Sequence, residues 1–280
     1  MADQDSSRLL VITGAAGRIG TFYRKHLKDE GLLGAAEGQW RLRLVDVRPP
    51  QETQPDDDVQ VGEQDSNLAD LEVARRAARG AHSVLHLAAD PSPRADFYAS
   101  LLDRNIKATY NVLHAAHELG VKRVVFASSV NAILGYPRDV QVRAEDVAWP
   151  GNVYGASKAW GEAICGAFVA QSEGRLSAIA VRIGGVTHRD QVRARGPSGG
   201  RTIDRGGEWQ SITVTHDDLC RLFDCCLNGA PDVTFAVVNG ISANRFLRMD
   251  LESTRRRIGY QPQDDAFALS EASAEQPKSS

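Results

Sequence analysis

A short apolar run, Leu9 to Thr13 (LLVIT), ends on Gly14 and opens directly into TGAAGRIG and a segment of helical spacing, Arg18 to Leu27. Five residues are too few for a buried helix, so the run reads as a buried strand. The glycines let the backbone reverse at once, and a helix begins without an intervening loop. A strand that turns straight into a helix cannot close a hairpin with its successor. The next strand must arrive by a crossover and pair in parallel. These first residues therefore commit the chain to βα units.

The same rhythm continues. Apolar runs at Leu42 to Val47, Val59 to Gly62, Ser83 to Leu87, Arg123 to Ala127 and Ser177 to Arg182 read as strands. Between them, Leu68 to Arg79, Leu101 to Leu119 and Tyr154 to Ser172 have helical spacing. Strands alternating with helices predict an α/β fold, a doubly wound parallel sheet covered on both faces. After Arg182 the rhythm breaks. Residues 188 to 209 hold five arginines, five glycines and Pro197, and read as a loop. Order resumes with Ser211 to Thr215 as a strand, Asp217 to Leu227 as a helix with Asp217 as its N-cap, Phe235 to Asn239 as a strand and Leu251 to Ile258 as a short helix. Residues 263 to 280 are rich in Glu, Ser and Gln and predict a frayed, disordered tail.

Charge excludes some partners. The formal net charge of −3 gives no reason to expect nucleic acid or an anionic membrane surface. The polar start, Met1 to Arg8, lacks the pattern of a secretory signal, and no apolar run is long enough to span a bilayer, so the expected location is cytoplasmic. Cys165, Cys220, Cys225 and Cys226 show no metal-ligand spacing with histidine, so no metal is expected and they read as small buried thiols.

Three features carry chemistry. Gly14, Gly17 and Gly20 follow a G-x-x-G-x-x-G spacing, a variant of the dinucleotide fingerprint that sets a pyrophosphate on a helix N-terminus. Asp46 closes the second strand, where a carboxylate accepts ribose hydroxyls and repels a 2′-phosphate, which favours NAD over NADP. Tyr154 and Lys158 stand at i and i+4 on one helix face. An ammonium there lowers the phenol pKa from about 10 and equips the tyrosine to take a proton from a hydroxyl. Ser129 ends the strand VVFASS, 25 residues before Tyr154.

Taken together, TGAAGRIG, Asp46, His86-Leu87-Ala88-Ala89, Asn105, Ser128-Ser129 and YGASK (154 to 158) resemble the extended short-chain dehydrogenases/reductases, the NAD-dependent epimerase/dehydratase family, over roughly residues 8 to 185. The resemblance implies a Rossmann-type sheet with a small C-terminal substrate lobe: an NAD-binding domain at 8 to 185, a lobe at 186 to 262 interleaved with the sheet, then the tail. It implies catalysis by Ser129, Tyr154 and Lys158. It places Gly14, Gly17, Arg18, Ile19 and Gly20 at the pyrophosphate, Asp46 at the ribose, and Asp65 and Ser66 at the adenine. Leu87, Ala88, Ala89 and Ile183 would line the nicotinamide side, with Asn105 holding a structural water or helix bend and Lys158 also bonding the nicotinamide ribose.

Further similarities narrow the branch. HLAADPSP (86 to 93), Thr215-His216-Asp217-Asp218, Gly240 to Asn244 and Ile258 to Pro262 resemble uronate dehydrogenases and archaeal NAD-dependent glucose-6-phosphate dehydrogenases. That branch oxidises the anomeric carbon of a sugar to a lactone, so the implied partner is a small sugar, sugar acid or sugar phosphate. Ser129 would orient its hydroxyl, Ser92 and Asn131 would contact the ring, and Arg193 of the arginine-rich segment would read an acidic group, with His188 either reaching the pocket or capping the loop. Uronate dehydrogenases carry Asn directly after the Ser-Ser pair and Ser after Arg-Ile-Gly, whereas this chain has Val130 and Gly185. A (nucleotide-)sugar epimerase or dehydratase and a non-enzymatic NAD-binding regulator are the alternatives. Members often pair through helices corresponding to 101 to 119 and 154 to 172, which implies a homodimer or higher homo-oligomer.

Overall fold

In the computed structural model, which describes residues 7–32, 40–195 (193–195 by backbone only), 208–228 and 232–272, strand and helix alternate from the start. The chain runs β1 (Arg8–Thr13), α1 (Arg18–Asp29), β2 (Trp40–Asp46), β3 (Asp58–Val61), α2 (Glu63–Ser66), α3 (Leu71–Ala78) and β4 (Ser83–His86). A π-helical run, Phe97–Lys107, leads into α4 (Ala108–Glu118), then β5 (Arg123–Ser129), α5 (Val153–Gln171), β6 (Ser177–Ile183) and β7 (Gly185–Thr187). The C-terminal part holds α6 (Arg189–Arg195), α7 (Glu208–Ser211), β8 (Thr213–Thr215), α8 (His216–Asn228), β9 (Phe235–Gly240), α9 (Glu252–Ile258) and α10 (Ala266–Glu271).

Seven strands form one sheet in the order β3-β2-β1-β4-β5-β6-β9, every adjacent pair parallel. This is a Rossmann-type doubly wound sheet. Successive side chains of a strand face opposite sides, so each strand feeds two cores. Leu10 and Ile12 of β1, Val125 and Ala127 of β5, and Ile179 and Val181 of β6 pack with Tyr23 of α1 and Leu219, Leu222 and Phe223 of α8. Val11, Val124, Phe126, Ala178 and Ala180 pack on the other face with α3, α4 and α5. The sequence order reverses between β1 and β4. At such a switch point the connections diverge and leave a crevice beyond the carboxyl ends of the strands.

Four expectations change. The segment expected to be one regular helix, 101 to 119, begins at Phe97 and is π-helical as far as Lys107. The arginine-rich segment does not open as a loop: residues 189 to 195 form α6, and 196–207 lie outside the described residues. The expected tail is packed rather than frayed through residue 272, with Asp264, Ala266 and Ser270 buried; 273–280 lie outside the described residues. Its anchor is the buried Asp218 carboxylate, which accepts from the Gln263 and Asp264 amides at 2.8 and 3.0 Å. Lastly, Asp217 does not cap α8. Thr215 Oγ1 accepts from the Asp218 amide at 3.3 Å, and Asp217 is exposed in the first turn. Among the described residues no helix is long and apolar enough to cross a membrane.

Candidate active site

The glycine turn is built against the neighbouring strand. Gly14 has φ +71°, and a Cβ there would stand 2.7 Å from the Ala88 backbone nitrogen. Only glycine supplies that conformation and that closeness without strain. β1 and β4 thus meet at the switch point, where the Ala88 amide donates to Thr13 Oγ1 at 3.2 Å. α1 starts at Arg18, and its N-cap Gly17 has no side chain to cap it, so its first amides lack a side-chain partner. An uncapped helix N-terminus beside a close backbone approach is the cradle a pyrophosphate requires. The residues present fit a dinucleotide.

Asp46, at the end of β2, is nearly buried. Its Oδ2 accepts from the Ala16 amide and its Oδ1 from the Arg48 amide, each at 2.9 Å. One carboxylate therefore ties the glycine turn to the end of β2, and each oxygen keeps a second lone pair for a ribose hydroxyl. Arg18 donates to the Val186 carbonyl at 2.9 Å, which pins β7 to the start of α1. Ile19 packs against the core beneath the turn. Asp65 and Ser66 lie in α2, after β3. Asp65 is exposed, 3.7 Å from Arg76, whereas the Ser66 hydroxyl donates to the Gly62 carbonyl at 2.6 Å and shapes its own turn. Leu87, Ala88 and Ala89 follow β4, and Ile183 ends β6 opposite Ser129 in register.

Ser129, Tyr154 and Lys158 come together at the carboxyl end of β5, all at most 7% exposed. Two elements converge here because Gly155 leaves room. A Cβ on it would lie 2.1 Å from the Asn131 carbonyl oxygen. The Lys158 ammonium donates to the Ala127 carbonyl at 2.8 Å, and burial pulls its pKa down to about 8. Tyr154 departs from expectation. Burial holds its phenol above the ordinary value, the hydrogen bond from Ser129 pulls it down, and the Asp90 charge pushes it up. Lys158, expected to lower it, sits 5.8 Å from the ring centroid and spends a donor on the backbone. Desolvation outweighs the neighbouring charge in this state.

Asn105 is not a surface amide. It is buried in the π-helical run, accepts from the Asp90 amide at 2.8 Å and donates to the Asp90 carbonyl at 3.2 Å and to Ser157 Oγ at 3.1 Å. Ser157 in turn donates to the Tyr154 carbonyl at 2.7 Å. The wider turn of a π-helix brings this amide to both partners, a role such irregularities often serve. Beneath lies His86, whose ring nitrogens meet Thr13 at 2.7 Å and Thr109 at 3.2 Å; burial, helped by Lys158, drops its pKa to about 3 and keeps it neutral.

The expected sugar contacts divide. Asn131 has its side chain engaged, donating to Ser129 Oγ at 3.1 Å and accepting from Asn152 at 2.8 Å. Ser92 stands in a turn whose amide donates to Asp90 Oδ1 at 2.9 Å and whose hydroxyl accepts from the Arg94 amide at 3.2 Å. His188 accepts from the Asp190 amide at 3.2 Å, capping α6, while its ring meets His216 edge-on at 5.4 Å. Arg193 lies on α6 with its side chain outside the described residues. Arg189 is committed to Asp264 through paired hydrogen bonds, including two of 2.9 and 2.8 Å from its Nε. Two residues escaped sequence reasoning. Asp90, whose only signal was an acid directly after HLAA, is the carboxylate that acts on Tyr154. Asn152, two residues before the tyrosine, caps α5 by accepting from the Gly155 amide at 2.7 Å.

Known proteins share this fold and much of its sequence pattern. The profile of the NAD dependent epimerase/dehydratase family matches residues 10–191. The chain is 29% identical over 270 residues to an NAD-dependent glucose-6-phosphate dehydrogenase of Haloferax volcanii, covering 92% of this chain and 94% of that protein. It is 32% identical over 220 residues to an L-arabinose 1-dehydrogenase (NAD(P)(+)) of the same organism, covering 73% and 83%. A mutant uronate dehydrogenase from Agrobacterium tumefaciens, solved in complex with NAD, superposes with a TM-score of 0.77 at 27% identity, covering 97% of this chain and 92% of that one.

Proposed function

The chain belongs to the NAD dependent epimerase/dehydratase family, and from that premise we propose that it oxidises the anomeric carbon of a small sugar, sugar acid or sugar phosphate to a lactone with NAD as oxidant. The observation that carries the reading is the convergence of Ser129, Tyr154 and Lys158 beside an uncapped glycine-turn helix, in a chain that spans most of the length of sugar dehydrogenases. Full-length similarity to the glucose-6-phosphate and uronate enzymes favours net oxidation over epimerisation. The reading carries a cytoplasmic setting, an NAD-binding domain over 8–185 and a substrate lobe over 186–262.

Bound NAD supplies the acceptor for the hydride that leaves the anomeric carbon. Tyr154 takes the proton of the anomeric hydroxyl as that hydride departs, so the bond from the carbon to its hydroxyl oxygen becomes double and the cyclic sugar becomes a lactone. Ser129 donates a hydrogen bond to the phenol oxygen and stabilises it as a phenolate. Lys158, whose pKa burial lowers to about 8, offers its remaining hydrogens to the cofactor ribose and its charge to the phenolate. Asp46 accepts from the adenosine ribose. Asp90, held by the Ser92 amide and the Ser100 hydroxyl, bounds the pocket on the β4 side.

The test follows absorbance of reduced cofactor with NAD⁺ and a panel of neutral aldoses, uronic acids and hexose phosphates. Reduction by one sugar class, with a lactone as product, supports the reading. Tight NAD binding with no turnover of any sugar would turn the case toward an epimerase or a binding protein.

A further inference from the structure

We propose that Asn152 and Asn131 are positioning residues that fix the hydroxyl hydrogen of Ser129 on the side of Tyr154. The argument starts at the first turn of α5. The Gly155 amide can only donate, so the Asn152 atom 2.7 Å from it is its oxygen. The other end of the Asn152 amide is therefore Nδ2, which donates to Asn131 Oδ1 at 2.8 Å. That orients Asn131 in turn. Its Nδ2 donates to Ser129 Oγ at 3.1 Å, and its backbone amide donates to the same oxygen at 3.2 Å.

A hydroxyl has two lone pairs and one hydrogen. Both lone pairs of Ser129 are taken by Asn131, so the hydrogen has to be given away. With Asn131 on its acceptor side, the hydrogen points away from Asn131, and the group this hydroxyl acts on is the Tyr154 phenol, whose pKa it pulls down. The result is a one-way chain: Gly155 amide to Asn152, Asn152 to Asn131, Asn131 to Ser129, Ser129 to Tyr154. It begins and ends on the same helix. Aligned donors polarise one another, so the last link favours phenolate over phenol.

The relay rests on the reading of Tyr154 as the base, and it assigns Asn131 a task other than touching the sugar. It also accounts for how a tyrosine whose neighbouring ammonium is turned to a backbone carbonyl reaches its ionised form. The charged groups facing Tyr154 are Lys158 from its own helix and Asp90 from the segment after β4, with neutral His86 beneath. None of them changes in the variants below.

The experiment is a spectrophotometric tyrosinate titration of the full chain, with the Tyr154→Phe protein subtracted to isolate one phenol. Asn152→Ser keeps a hydroxyl cap on α5 but removes the Nδ2 donor without adding charge. Asn131→Ala removes the last side-chain donor. In each, the Tyr154 titration is expected to move up by about one pKa unit, roughly tenfold less phenolate at a given pH. In a Ser129→Ala background the same substitutions should produce no further shift, since the cycle isolates coupling through the serine. Circular dichroism and NAD binding identify a variant that has lost its fold, and the cap-preserving Asn152→Ser is the decisive one. An unmoved titration in Asn152→Ser, or a shift equally large without Ser129, overturns the relay. Because no sugar is present, absence of sugar oxidation would count against the proposed function and leave this result standing.

Discussion

The Lys158 ammonium reaches past Tyr154 to the Ala127 carbonyl, 2.8 Å away, and stands 5.8 Å from the centroid of the tyrosine ring. The two groups share a helix face but not a hydrogen bond. Lysine holds the floor of the site to the end of β5, while Ser129 is the neighbour that pulls the tyrosine pKa down against burial. Acidity and position at this centre therefore come from different neighbours.

Asp46 combines a structural and a selective role, and the two can be separated. Asn in its place retains one oxygen for the Ala16 and Arg48 amides and loses the charge. Asp46→Asn is expected to lower stability by about 1 kcal/mol, one net hydrogen bond. The ratio of kcat/KM for NAD⁺ over NADP⁺ should fall at least about tenfold, about 1.4 kcal/mol. Steady-state kinetics with both cofactors checks it; an unchanged ratio would remove Asp46 from the ribose.

At Gly14 a single methyl group should do harm in two ways at once. Its φ of +71° and the 2.7 Å approach of a Cβ to the Ala88 nitrogen leave no room on either count. Gly14→Ala should cost about 1–3 kcal/mol by chemical denaturation and weaken NAD binding, because the cradle opens when β1 and β4 part. Calorimetric binding at a temperature where the variant is folded reads the second effect on its own.

Buried charge gives a larger prediction. Arg182 bonds Glu162 through Nε at 3.0 and 3.2 Å and through Nη2 at 2.9 Å, and Ser128 donates to the same carboxylate at 2.6 Å. Glu162→Ala strands a buried guanidinium and should cost about 3–5 kcal/mol in urea unfolding. A loss below about 1 kcal/mol would mean that water reaches the pair.

The pair of His26 on α1 and Asp224 on α8 predicts a pH dependence of stability. Burial opposes charging of the imidazole, but the hydrogen bond to Asp224 at 2.8 Å and its charge outweigh burial and raise the His26 pKa. A histidine with a raised folded pKa stabilises fully below its unfolded value, about 6.5, and loses that contribution as pH rises through the folded value. Wild type should therefore melt above His26→Gln most clearly in mild acid, with the gap narrowing as pH passes neutrality. A gap that widens with rising pH contradicts the pairing.

What could be read from the sequence was what neighbours along the chain encode. The buried parallel strands announced themselves as apolar runs, because both of their faces are covered. The turn from Thr13 to Gly20 and the face shared by Tyr154 and Lys158 are likewise local patterns. The losses occur where a residue's partner is far away in sequence. Arg189 looked free in an arginine-rich stretch, yet it pairs with Asp264, 75 residues on. The tail looked frayed because its anchor, Asp218, lies 45 residues before Gln263. Asn105 makes the π-helical run useful only by meeting Asp90 and Ser157, which no spacing within 97 to 107 reveals. The sign of the Tyr154 shift failed for a related reason. A charge four residues away is visible in sequence, whereas the depth of burial is not.

The most direct test of the account is transfer of isotope from the anomeric carbon. A sugar that the protein oxidises is prepared with deuterium at C1, and the reduced cofactor is examined by mass spectrometry for wild type and Tyr154→Phe. The account predicts one deuterium in the cofactor, an unlabelled lactone, and a rate at least about a hundredfold lower in the variant. Reduced cofactor without deuterium, or undiminished turnover by Tyr154→Phe, would contradict it.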